Sequence, residues 1–300
     1  MIKVSAIIPT YNSARYLAEA VESALKQTLE EIEVVVVDDG STDETESLMR
    51  GYDLRVRYVR QPNSGVALAR NRGIKESRGR YVAFLDADDV WVPHKLERQL
   101  AALEKNRGCR ACYTAFTVST SDLLPIGINR SKRRGSALED LLLIGNIVGT
   151  PSTVLCERSL FEEVSGFDES LSQCADWEMW IRLAMQTDFV YLDDPLALYR
   201  QHDSNMSRSV ALLERDSLRA LEKGFEMPGL AASLRARRRA ALARNYMVLA
   251  GTYFHGRQYK DFARCAARSL SLDIRQASYL MAFPVRLAAR SRTHDSAETV

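Results

Sequence analysis

Three aspartates, Asp86, Asp88 and Asp89, close the segment Arg80-Tyr-Val-Ala-Phe-Leu-Asp-Ala-Asp-Asp89. Tyr81 to Leu85 is an apolar run too short for a helix and suited to a strand covered on both faces. Side chains alternate along a strand, so Asp86 and Asp88 are expected to point the same way past its carboxyl end, where open α/β sheets hold ligands. Two hard oxygen donors there suit Mg²⁺ or Mn²⁺, ions that complete their coordination with water and substrate phosphates. Taken alone, the same acids describe a charged turn. Three further clusters bear on the choice: Pro9-Thr-Tyr-Asn12, Asp38-Asp-Gly-Ser41 and Ala175-Asp-Trp-Glu178. The first two also follow strand candidates, and a doubly wound sheet gathers such ends at one edge. There Tyr11 offers an aromatic face and Asp39 an acceptor for a base N–H, the makings of a nucleotide pocket. Acidic turns crowded on one edge repel one another, and a cation relieves that repulsion.

Alternating strands and helices must position these groups. Val4 to Ile8 reads as a strand stopped at Pro9, with Asn12 or Ser13 able to cap a helix whose stripe includes Leu17, Val21 and Leu25. Ile32 to Val37 is a second strand, and Ser41-Thr-Asp-Glu44 is a capping box opening a helix to about Arg50. An edge strand around Val56 to Tyr58 follows, then a helix from Gly65 to Ser77 weakened by Gly73. This alternation implies a mostly parallel sheet. Further on, Lys95 to Lys105 is helical, Arg110 to Thr120 extended, and Ser121 to Gly135 a polar loop ending in Lys132-Arg-Arg134, either a solvated run or a lid over phosphates. Thr150 to Leu155 is expected to be a strand, Arg158 to Val164 and Ala175 to Gln186 helices, and Phe189 to Leu192 and Leu196 to Arg200 two strands around an Asp194-Pro195 turn. Asp176 falls in the first turn of its helix, where on position alone it reads as an N-terminal helix charge. Trp177 and Trp180 belong to the apolar stripe of that helix and suit the core.

With 46% hydrophobic and 27% charged residues among 300, the composition is that of a soluble globular protein. No window reaches the roughly 18 uninterrupted apolar residues of a membrane span, and the segment from Met1 to Pro9 lacks a signal peptide's long apolar region. Five cysteines, an odd number, agree with a reducing compartment, so a cytoplasmic protein is expected. Cys109 and Cys112 have redox or zinc spacing but no second pair, and read as structural. The net charge of +2 hides a division: residues 1–207 carry 24 basic and 31 acidic side chains, a balance of −7, and residues 208–300 carry 17 and 8, a balance of +9. We therefore expect an acidic body over 1–207 and a basic helical region over 208–300, broken at Met227-Pro-Gly229 and His255-Gly256. Met247, Ala250, Gly251 and Phe254 with Ala263 fit part of a tetratricopeptide pattern, and one copy suits a helical hairpin better than a solenoid. The tail has no nucleic-acid motif, so no nucleic-acid partner is expected. Arg235, Arg237, Arg238 and Arg239, with Arg286, Arg290 and Arg292, suit an anionic membrane surface at the inner face of the cell membrane, or a solvated face.

Ser5-Ala-Ile-Ile-Pro-Thr-Tyr-Asn12, Val36-Val-Asp-Asp-Gly-Ser-Thr-Asp43, Gly65-Val-Ala-Leu-Ala-Arg-Asn-Arg-Gly73 and Tyr81-Val-Ala-Phe-Leu-Asp-Ala-Asp-Asp89 resemble, in this order, the signatures of the family 2 glycosyltransferases. Gly166-Phe-Asp168, Asp176-Trp-Glu-Met-Trp180 and Tyr199-Arg-Gln-His202 continue the match over about residues 2–207. The resemblance implies a GT-A fold, an α/β Rossmann-like mixed sheet flanked by helices, and an inverting transfer from a nucleotide-diphosphate sugar, with a UDP-sugar favoured, to a glycan or lipid-linked acceptor. It implies that Pro9, Thr10, Tyr11 and Asp39 hold the base, that Arg70 lies near base or phosphate, that Asp86 with Ala87 lies near the ribose, and that Asp88, joined by His202, ligates Mn²⁺ or Mg²⁺. Asp176 is then the general base. Ala175 departs from the pattern, since many relatives carry an acid there. Two alternatives stand beside this reading: a sugar nucleotidyltransferase, expected to have a glycine-rich phosphate loop that Pro9-Thr-Tyr-Asn-Ser13 lacks, and a nucleotide-binding scaffold acting through its helical tail.

Overall fold

The computed structural model describes residues 2–52, 55–202 and 209–281, which divide into two compact units between Leu212 and Leu213. The boundary expected at 207/208 lies outside the described residues.

In the first unit the chain runs β1 (Val4–Thr10), α1 (Ala14–Leu25), β2 (Ile32–Asp38), α2 (Thr45–Met49), β3 (Val56–Arg60), α3 (Val66–Glu76), β4 (Tyr81–Phe84), β5 (Val90–Trp91) and α4 (Lys95–Lys105). It continues through β6 (Ala111–Ser119), β7 (Pro125–Asn129), α5 (Ala137–Leu143), β8 (Leu155–Glu157), α6 (Arg158–Glu163), α7 (Ala175–Gln186) and β9 (Phe189–Arg200). The strands form one sheet in the order β3-β2-β1-β4-β8-β6-β9-β5, with β7 on β6. In the first half every pairing is parallel, and the register Val4 to Ile32 through Thr10 to Asp38 brings the ends of β1 and β2 level. Ile7 lies opposite Phe84, so the turn after β4 opens at the same edge. Val4, Ala6 and Ile8 pack with Val34, Val36, Leu17 and Val21 in the core, and Val35, Val37 and Ala69 form a second cluster.

The second half differs from the mostly parallel sheet expected. There β8 is antiparallel to β4 and β6, and β5 to β9, while β6 and β9 are parallel. A short apolar run buries its side chains equally well in either direction, so its periodicity carries no sense. The two strands expected around Asp194-Pro195 are one, β9, whose register against β6 shifts beside Ala115. Proline has no N–H for a ladder, and such a bulge accommodates it without ending the strand. The expected strand from Thr150 is a 3-10 turn over Pro151–Thr153, with Thr150 Oγ1 accepting from Ser152 N, and only Leu155–Glu157 is extended. Within the expected polar loop lies β7, whose Ile126 and Ile128 are exposed. The helix α5, capped by Ser136, was not anticipated. Neither Asn12 nor Ser13 caps α1: Asp43 Oδ2 accepts from Ala14 N at 3.0 Å, and Asp43 Oδ1 accepts from Thr45 N, so the expected capping box acts through Asp43 instead.

In the second unit, α8 (Val210–Glu226) begins just before the boundary and is followed by α9 (Ala232–Arg235), α10 (Arg238–His255), α11 (Tyr259–Leu272) and α12 (Ala277–Met281). The break after Met227 and the turn at Gly256 fall where expected, and α10 and α11 pack as a hairpin through Ala243, Met247, Cys265 and Ala266. Tyr253 Oη and both outer nitrogens of Arg264 donate to Glu214, tying α8 to that hairpin.

Candidate active site

The ends of β1 and β2 build one wall. Asp38 faces inward: its Oδ1 accepts from Ser41 N at 2.8 Å and its Oδ2 from Tyr58 Oη at 2.5 Å, while burial and this bond push the Tyr58 phenol up. Asp39 is 4% exposed and accepts from Gln61 Nε2, Ser64 N and Gly65 N at 2.8, 2.9 and 2.7 Å. This fold-over of the 61–65 loop needs Gly40 and Gly65 at φ of 82° and 93°, conformations that a side chain rarely adopts. Tyr11 is 49% exposed beside it. Among the described residues, the buried Thr10 Oγ1 and Arg70 Nε have no hydrogen-bond partner.

Past β4 the chain turns instead of continuing as a strand, so the alternation expected for Asp86 and Asp88 does not govern them. Asp86 Oδ1 accepts from Arg70 Nη2 at 2.8 Å, and Asp86 N donates to Ser152 Oγ. Asp88 Oδ2 lies 2.8 Å from His202 Nε2. Asp89, which the sequence left without a role, is wholly buried: it accepts from Ser152 Oγ at 2.5 Å and from Arg200 N at 3.0 Å. Burial, with Asp86 adding to it, pushes the Asp88 carboxyl up, and burial with Asp88 pushes Asp89 well up. Asp88 and His202 converge as a pair, and no group of three acidic, histidine or cysteine ligands occurs among the described residues. Such a pair fits an ion of the Mg²⁺ or Mn²⁺ kind, which keeps most of its shell for water and phosphate.

Asp176 opens α7, 9% exposed, and its Oδ2 accepts from Asn146 Nδ2 at 3.1 Å. Burial raises its carboxyl from the ordinary range, the Arg70 guanidinium opposes that rise, and Asp86 adds to it. Arg70, 6% exposed, therefore bonds Asp86 and acts electrostatically on Asp176, with its guanidinium 5.6 Å over the Phe167 ring. Ala175 is buried, and the other acid of this first turn, Glu178, is paired with Arg182. Trp177 Nε1 donates to Leu141 O and Trp180 packs edge-on to Phe167, both buried, so these rings belong to the core. Arg133 is paired with Asp188, which ties the basic 132–134 run to the start of β9. Pro9 and Ala87 sit in the same two walls, in β1 and in the turn after β4. The sequence missed Asn146, Ser152 and Arg200. Only Arg200 carried a signal, its place two residues before His202.

The sequence pattern described as Glycosyl transferase family 2 matches residues 5–165. An uncharacterized glycosyltransferase of Rickettsia prowazekii is 32% identical over 228 residues, covering 74% of this chain and 71% of that protein. A putative teichuronic acid biosynthesis glycosyltransferase of Bacillus subtilis is 32% identical over 210 residues, 68% of this chain and 81% of the relative. Among solved structures, a mannosyltransferase from Pyrobaculum calidifontis in complex with GDP-Man and Mn²⁺ superposes with a TM-score of 0.65 at 20% identity, over 98% of this chain and 82% of that one. The mixed sheet flanked by helices, followed by a helical region, is the GT-A architecture.

Proposed function

Since the chain belongs to glycosyl transferase family 2 and is a glycosyltransferase, we propose that it moves a sugar from a nucleotide-diphosphate donor, a UDP-sugar by preference, to a hydroxyl of a glycan or lipid-linked acceptor, with inversion. The observation that carries this reading is the position of Arg70, bonded to Asp86 and acting on Asp176. One buried guanidinium thus joins a donor-side acid to the candidate base. Tyr11 stacks on the base, Asp39 shapes the pocket through the 61–65 loop, and the partnerless Thr10 Oγ1 and Arg70 Nε supply polar atoms that a nucleotide satisfies.

Asp88 and His202 would hold the divalent ion, which supplies positive charge against the charge building on the departing diphosphate. Asp176 accepts the proton of the attacking hydroxyl as its oxygen bonds to the anomeric carbon, opposite the breaking bond to the diphosphate. Arg70 opposes the rise that burial imposes on the Asp176 carboxyl and so favours the ionised form that this requires. The teichuronic acid relative supports a place in polysaccharide assembly.

Asp176→Asn keeps the shape and removes the base. We expect it to bind donor as the wild type does and to transfer more slowly by about 10² to 10⁴-fold, the usual worth of general base catalysis. Transfer at the wild-type rate would remove Asp176 from this role. A thermal-shift series of UDP- and GDP-sugars with and without Mn²⁺ reads the donor, because a ligand raises stability by RT ln(1 + [L]/Kd). Absence of any Mn²⁺-dependent shift would overturn the metal-assisted reading, and a shift with GDP-sugars alone would overturn the preference for UDP.

A further inference from the structure

The side chain at the end of β9 has no part in the chemistry above, yet it lies behind both candidate metal ligands. Arg200 is 2% exposed. Its Nε donates to the main-chain oxygen of Asp88 at 2.7 Å, its Nη2 to Glu19 Oε2 at 3.0 Å, and its Nη1 to Ser121 O. Its own N–H donates to Asp89 Oδ1 at 3.0 Å. The guanidinium lies 4.5 Å over the Tyr16 ring, and that ring lies 4.9 Å from the His202 ring. One residue therefore grips the backbone of Asp88 directly and bears on the face of His202 through Tyr16.

We propose that Arg200 is a positioning residue that holds Asp88 and His202 together as one ligand pair for the divalent ion. The inference rests on the reading of that pair given above. Asp88 sits in a turn between β4 and β5, outside any strand, and a ligand on a turn costs less to order when its backbone is already held. Arginine suits the task because three nitrogens in a planar fork reach three separate acceptors, where lysine offers one. The choice of acceptor matters as much. Arg200 Nε takes the carbonyl oxygen of Asp88, while Asp88 Oδ2 faces His202 Nε2, so a buried cation grips the backbone of a residue whose carboxylate faces the histidine. Glu19, on α1, anchors the far side of the fork.

The test measures Mn²⁺ affinity of the full-length protein by electron paramagnetic resonance of the free ion, in the presence of UDP, and UDP affinity without metal. For Arg200→Lys we expect Mn²⁺ to bind about 10 to 100-fold more weakly, the usual loss on removing a group that orients a ligand, with metal-free UDP affinity kept within about twofold. Equal loss of both affinities would mean general damage and overturn the proposal, as would unchanged Mn²⁺ affinity. Should Arg200→Lys not fold, Glu19→Ala decides: it removes the acceptor of one arm of the fork at a half-exposed position, and a Mn²⁺ affinity equal to wild type refutes the brace. Asp88→Asn separates the two levels. If it leaves Mn²⁺ affinity intact, the ligand pair itself falls; if it abolishes binding while Arg200→Lys does nothing, only the brace falls.

Discussion

Lys95 is wholly buried at the start of α4, with its Nζ 2.8 Å from Gln99 Oε1 and 4.3 Å from the centre of the Trp91 ring. Burial lowers its pKa to about 7, well below that of a lysine in water. The unfolded chain binds this proton up to about pH 10.5, whereas the folded chain releases it above about pH 7. The group's cost to folding is therefore absent above the unfolded value, grows as pH falls toward 7, and is constant below that. Each pH unit in this window is worth about 1.4 kcal/mol, so the full effect is on the order of a few kcal/mol. The difference in urea midpoint between wild type and Lys95→Met should shift in favour of wild type on going from pH 7 to 9.5. A difference independent of pH would show that the ammonium keeps its proton in the fold. Asp89 teaches a similar lesson: an acid read as the start of a turn is buried and shared between Ser152 and Arg200.

Among the elements, α3 carries Arg70 and is set against β1 by a glycine. A methyl group at Gly73 would come within 2.3 Å of Ile7 Cγ2, closer than atoms can pack. From sequence Gly73 reads as a weak helix turn, but its use is close approach of helix to strand. Gly73→Ala should cost about 1–3 kcal/mol by overpacking, measured by urea unfolding, and should weaken metal-free UDP binding because α3 must move with Arg70. Wild-type stability would mean that Ile7 yields freely. The strand β9 shows the reverse case, a Pro-containing turn signal that the fold absorbs as a bulge, so His202 arrives beside Asp88 at the end of one long strand.

For the whole chain, the contrast between an acidic body and a tail of +9 persists. No described helix is long and apolar enough to cross a membrane. Arg235, Arg237 and Arg239 are exposed around the start of α10, whereas Arg286, Arg290 and Arg292 lie outside the described residues. We propose that the basic tail rests on anionic lipid, at about 1 kcal/mol per cation near the surface. Reversing Arg235, Arg237 and Arg239 to Glu should weaken partition onto vesicles containing phosphatidylglycerol by at least tenfold while leaving partition onto neutral vesicles unchanged. Equal partition of both proteins onto anionic vesicles would discard the membrane role. The family match favours glycosyl transfer over the sugar nucleotidyltransferase alternative.

The sequence alone determined what local order and residue type determine. Hydrophobic period set β1, β2, α1, α4 and α7, and the succession of Pro9-Thr-Tyr-Asn12, Asp38-Asp39, Asp86 to Asp89, Asp176 and His202 announced the glycosyltransferase family, because each cluster is contiguous in the chain. Tertiary structure alone decided direction and pairing. The antiparallel β8, the continuity of β9, the separate partners of Asp86 and Asp88, and the Arg200 grip on Asp88 all join residues far apart in the chain, 112 positions in the last case. No window of sequence contains such contacts, since they exist only once strands of either direction have been laid side by side.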